Sequence, residues 1–176
     1  NWNNYLGIEH NTLLKRYSKN LFLKSYLKNE IFLKHYKIWK DFGYEKKDLN
    51  KISTPEFGNQ LGAYIDGNFV TIGSFFNQII SKILYEHIKH KSKPIICDLG
   101  GGYGKLGYFL IKNFKDSCFI DFDIPDVLVL AAYYLMSSFP NKKTLLFGEK
   151  EFKKKDIKNF DLIFMPSVEI TKMDEN

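Results

Sequence analysis

Two aspartates 25 residues apart are the residues of this chain best placed to do chemistry, and each closes a short apolar run. Asp98 follows Ile95-Ile96-Cys97, and Asp123 follows Cys118-Phe119-Ile120-Asp121-Phe122. Directly after Asp98 comes Leu99-Gly100-Gly101-Gly102-Tyr103-Gly104. A ligand can approach the backbone at Gly100, Gly102 and Gly104 because no side chain stands in its way. The turn feeds a helix whose first N–H groups can hold a carboxylate or a phosphate. An acid ending the second strand of such a unit offers two oxygens to paired ribose hydroxyls. Two acids and a glycine turn therefore predict a nucleoside-cofactor site, with Asp121 a second, deeper acid on the same strand face.

Two cofactor classes compete for that turn. Gly102-Tyr103-Gly104-Lys105-Leu106-Gly107 spells the dinucleotide pattern GxGxxG, which is weak when it stands alone. Asp98 argues the other way, because a carboxylate just before the glycines repels a pyrophosphate and suits a cationic ammonium. S-adenosylmethionine carries that ammonium, and Asp123 would then accept from both ribose hydroxyls.

Several elements must position these residues. Apolar residues recur at helical spacing from Leu13 to Phe42, including Leu23, Leu27, Ile31 and Tyr36, with lysines between them. The aromatics Phe22, Phe32, Tyr36, Trp39 and Phe42 are expected to be core or partner-facing, and they offer a surface for a homodimer. Residues 48–68, with Pro55, Gly58, Gly62 and Gly67, read as a loop region of the kind that forms lids. Helical spacing resumes from Ile72 to His90, ends in cations, and is stopped by Pro94. The period then switches to alternation. Strands are expected at Ile95–Leu99, Cys118–Asp123, Thr144–Phe147 and Phe160–Met165, with helices at Leu106–Asn113 and Asp126–Ser138. Strands alternating with helices predict a parallel sheet.

Composition narrows the function classes. The 176 residues suffice for one domain with a core plus an appendage, and 44% are hydrophobic. The net charge of +6 comes almost entirely from lysines scattered at helical spacing, and Arg16 is the single arginine. Lysines lack the planar fork that reads bases, so a nucleic-acid partner is not expected. Cys97 and Cys118 lie in predicted buried strands and read as small core residues of a reducing cytoplasm. His87 and His90 share a helix face without a third ligand at metal spacing, so no metal site is expected. No apolar run has the length of a membrane span. The chain starts without methionine and stops just after an apolar strand pattern, so it reads as part of a longer protein.

Asp98-Leu99-Gly100-Gly101-Gly102-Tyr103-Gly104 resembles the first motif of class I S-adenosylmethionine-dependent methyltransferases. Phe122-Asp123-Ile124-Pro125-Asp126-Val127, in register with it, resembles the second-strand step of small-molecule O-methyltransferases. With Tyr133-Tyr134-Leu135, the pattern is most similar to bacterial sugar O-methyltransferases, over roughly Glu56 to the end. The resemblance implies a Rossmann-like α/β fold, here partial with about four parallel strands, after a mainly helical segment. It divides the chain into residues 1–68, helices and a lid-like loop, and 69–176, part of a cofactor-binding domain. It implies that Asp98, Gly100, Gly101, Gly102 and Gly104 contact the methionine part of S-adenosyl-L-methionine. Asp123 and Ile124 would hold the ribose and flank the adenine.

The implied activity is methyl transfer to a sugar or glycan hydroxyl. After the third strand, Gly148-Glu149-Lys150-Glu151 replaces the family's glycine-aspartate-hydrophobic step, leaving Glu149 as a substitute adenine contact or a solvated loop acid. No catalytic residue is assigned. Glu169 is the obvious carboxylate after the fourth strand, and the chain is expected not to turn over alone. A nicotinamide-dependent oxidoreductase and a non-catalytic helical interaction module are the alternatives.

Overall fold

The computed structural model describes residues 33–173 apart from 59, 61 and 72, and it divides after Glu45 into two units. Most of the expected amino-terminal helical region, with its dimer surface, lies outside the described residues. In the first unit residues 33–41 are helical, and Trp39 stacks between Tyr36 and Tyr44 at 5.9 and 4.9 Å.

The second unit, from Lys46 onward, carries the candidate site. A single helical turn, α1 (Leu49–Ile52), leads to an antiparallel hairpin of β1 (Gly62–Ile65) and β2 (Asn68–Thr71). The hairpin corrects the expectation of an unbroken loop over 48–68. Its physical cause is Asp66-Gly67, both at positive φ (47° and 77°), the backbone of the tight turn that matches strand twist. Lys112 donates to the carbonyls of Asn50, Lys51 and Ser53, satisfying the carboxyl end of α1.

Next come α2 (Ser74–Ile88), β3 (Ile95–Leu99), α3 (Lys105–Asn113), β4 (Cys118–Asp123), α4 (Pro125–Ser138), β5 (Thr144–Leu146) and β6 (Leu162–Pro166). Each expected strand and helix of the alternating region is present within one or two residues of its place. The four strands are parallel, in the order β3-β4-β6-β5. All six residues of β4 are buried, as a strand covered on both faces requires. One face packs Phe119, Leu162 and Phe164 under Leu110, Ala131, Tyr134 and Leu135 of α3 and α4. The other packs Cys118, Ile120, Phe122, Ile163 and Met165 against Phe152 and Ile157.

β3 is an edge strand with β4 as its neighbour, whereas the doubly wound arrangement flanks its glycine-bearing strand on both sides. Its outer face is bare: Ile95, Cys97 and Leu99 are exposed. Cys97 is therefore not the core residue expected from its strand, because among the described residues no layer covers that face of β3, while Cys118 is fully buried.

Helix contacts are set by small residues. Ser81 of α2 is fully buried and donates to the Phe109 carbonyl of α3, while Asn113 donates back to its Oγ at 2.7 Å. A Cβ on Gly107 would stand 2.7 Å from the Phe119 ring, so its absence sets the spacing of α3 on β4. Among the described residues no helix is long and apolar enough to cross a membrane.

Candidate cofactor site

The site forms where β3 and β4 end side by side. Parallel register puts Asp98 opposite Asp121, and the Gly100 N–H extends the ladder by donating to the Phe122 carbonyl at 2.8 Å. Gly100, Gly102 and Gly104 all adopt positive φ (79°, 61° and 81°), a conformation open to glycine at little strain. A Cβ at Gly100 or Gly102 would point into open space. The turn is thus a bare backbone cradle, and it delivers the chain to α3, whose amino end no side chain caps.

Asp123 clamps this turn. Its Oδ2 accepts the Gly102 N–H at 2.9 Å and its Oδ1 accepts the Ile124 N–H at 2.7 Å. Each oxygen keeps a further lone pair, so the clamp and a bidentate grip on two hydroxyls are compatible. Pro125 opens α4 at its first position and holds Ile124 extended (φ −70°, ψ 147°), leaving that side chain half exposed beside the clamp.

Asp98 is partly buried, and its Oδ2 is enclosed without a hydrogen-bond partner. Burial, then the Asp123 charge, raises its pKa above the ordinary carboxylate range. An orphaned acceptor beside bare backbone fits a cationic ammonium. Gly101 differs from its neighbours: a Cβ there would come within 2.7 Å of Asp121 Oδ1, so this glycine is required from below as well. Burial first, then the charges of Asp98 and Asp123, pushes Asp121 up to about 7.

The structure brings Asp98, Gly100, Gly101, Gly102, Gly104, Asp123 and Ile124 to one end of the sheet. Glu149 accepts the Leu146 N–H at 2.8 Å and so closes its own turn. Glu169 is paired with Lys172 at 2.6 Å. Among the described residues no three acids, histidines or cysteines converge to hold a metal ion. An apolar cleft of about 410 Å³ opens beyond Ile124 between α4 and the ends of β5 and β6, lined by residues that include Pro125, Val129, Tyr133, Phe147 and Pro166.

Tyr103 had no role in the sequence reading beyond spelling the motif. Its hydroxyl donates to the Phe57 carbonyl at 2.9 Å and its ring packs on Tyr134, so it ties residues 53–58 to the glycine turn. The only hint was an aromatic residue within a glycine run.

A parallel sheet whose glycine turn is clamped by a strand-end acid defines a nucleoside-cofactor-binding α/β domain. Residues 68–176 match the model of the O-methyltransferase domain family, and the chain belongs to that family. It is an S-adenosyl-L-methionine-dependent methyltransferase acting on oxygen. No curated protein and no solved structure matches it.

Proposed function

We propose that this protein methylates a sugar or glycan hydroxyl, holding S-adenosylmethionine on the turn Gly100–Gly104. The observation that carries the site assignment is the Asp123 carboxylate, bonded to the Gly102 and Ile124 amides in register with Asp98. Asp98 receives the methionine ammonium and the uncapped amino end of α3 the carboxylate, Asp123 the ribose hydroxyls, and Ile124 one face of the adenine. The sugar acceptor rests on the similarity of the Gly-Gly-Gly-Tyr-Gly and Asp-Ile-Pro-Asp-Val-Leu steps to sugar O-methyltransferases.

The bound cofactor supplies an electrophilic methyl group. The protein's task is alignment of an acceptor oxygen with that group, an effect worth roughly 7 to 11 kcal/mol in well-oriented systems. A hydroxyl acceptor must also lose its proton to a base.

Calorimetric titration with S-adenosylhomocysteine tests the site. Asp123→Ala is expected to weaken binding about 10- to 100-fold, the loss of hydrogen bonds to a charged group. Full affinity in that variant rejects the ribose assignment. Labelled methyl transfer to saccharides but not to phenolic acceptors supports the sugar reading, and the reverse pattern rejects it.

A further inference from the structure

The ribose and ammonium assignments leave one carboxyl under the turn unused. Asp121 is completely buried, and neither of its carboxylate oxygens has a hydrogen-bond partner. It lies opposite Asp98 in the parallel register and directly beneath Gly101, whose missing Cβ would meet it at 2.7 Å. Asp98 contributes a third orphaned oxygen, its enclosed Oδ2. A buried, ionised carboxylate without a partner is costly, so such a pair is stable with a proton on it or with a positive charge brought to it.

Among the described residues, no cation is among the charges that act on Asp121. β3 presents Asp98, and β4 presents Asp123, already engaged by two amides. β6 presents Phe164 in register. The helical layer over this face brings the phenols of Tyr103, Tyr108 and Tyr134, all with pKa values raised by burial and therefore neutral at pH 7. Lys105 opens α3, and burial alone lowers its pKa. The charges acting on Asp121 are those of Asp98 and Asp123, both of which favour its protonated form, while the Gly101 backbone N–H, close to the carboxylate but short of hydrogen-bond geometry, opposes them.

We propose that Asp98 and Asp121 form a proton-exchanging receptor for positive charge, which lets the site tell the methyl donor from its spent product. Without ligand the pair carries a proton. A ligand of net positive charge docking on the turn displaces that proton to solvent, leaving the carboxylates ionised against it. The ammonium, common to both ligands, displaces part of the proton in either case, and the sulfonium charge that S-adenosylmethionine carries and S-adenosylhomocysteine lacks adds to it, so donor binding releases more protons than product binding. Asp121 is a positioning residue here, acting on the ligand through Asp98 and the Gly101 backbone. The inference rests on the proposed placement of the methionine part at Gly100–Gly104.

The test is calorimetric titration of both ligands at pH 6, 7 and 8, in buffers of different ionisation enthalpy, on the wild type and Asp121→Asn. In the wild type, donor binding is expected to release up to about half a proton from Asp121 at pH 7. The donor-to-product affinity ratio is expected to rise from pH 6 to 8 by up to about tenfold, the most that one group titrating near 7 gives over that interval. In Asp121→Asn the release and the pH trend fall to the smaller part that Asp98 contributes. Equal release by the two ligands, or undiminished release in the variant, overturns the proposal while leaving the cofactor site intact. Failure of both ligands to bind the wild type overturns the cofactor placement and this inference together. Carbon NMR of the ligand-free wild type is an independent check: an Asp121 carboxyl titrating near pH 4 also rejects it.

Discussion

At the residue scale the three aspartates differ in what surrounds them. Asp123 is buried yet satisfied by two amides, Asp98 is half enclosed with one oxygen orphaned, and Asp121 is sealed under Gly101 with both oxygens orphaned. The sequence shows all three, and alternation places Asp121 and Asp123 on one face of their strand, but it does not show which has partners. That depends on how the turn folds over β4. The consequence for stability has a definite sign. Asp121 titrates at about 7 in the native state, above its unfolded value near 3.9, so the native state binds the extra proton between these pH values. Stability therefore falls as pH rises through that window and levels off above it. By roughly 1.4 kcal/mol per unit, Asp121 accounts for up to about 3 kcal/mol lost from pH 5 to 7. Urea denaturation at pH 5, 6, 7 and 8 should show this slope in the wild type. In Asp121→Asn only the smaller contribution of the same sign from Asp98 should remain, and an unchanged slope refutes the assignment.

At the element scale, the positions that matter are those where side chains are absent. Gly107 completed a dinucleotide-like pattern in the sequence, yet its position is explained by the Phe119 ring beneath α3. Gly107→Val is expected to destabilise by about 2 kcal/mol, overpacking of 1–3 kcal/mol outweighing the helix propensity gained over glycine. Adding Phe119→Ala should recover part of that loss in a double-mutant cycle, and purely additive effects would show that the two sites are independent. Helix and strand positions were legible because periodicity and glycine punctuation coincide from Ile95 onward. The hairpin is hidden in the sequence although Asp66-Gly67 between Gly62–Ile65 and Asn68–Thr71 is a turn signal, because scattered proline and glycine around it read as loop. The role of Tyr103 as a tie to Phe57 spans 46 residues and has no local signature.

At the scale of the whole molecule, the sheet, both apolar clusters and all the candidate cofactor residues belong to the unit that begins at Lys46. A polypeptide of residues 46–176 is therefore expected to unfold in one cooperative transition and to bind S-adenosylhomocysteine within about threefold of the longer chain. Loss of the thermal transition by circular dichroism would show that the cofactor unit depends on the residues before it. The alternating strands and helices, the parallel pairing, the glycine turn and the two strand-end acids are legible in the amino-acid sequence alone. Those features follow from local rules: side-chain periodicity, the conformational range of glycine, and the charge that an acid offers a ligand. The strand order, the exposure of Cys97 and the burial of Asp121 beneath Gly101 emerge with the folded chain. These depend on which surfaces meet when distant segments pack, and no local pattern encodes them.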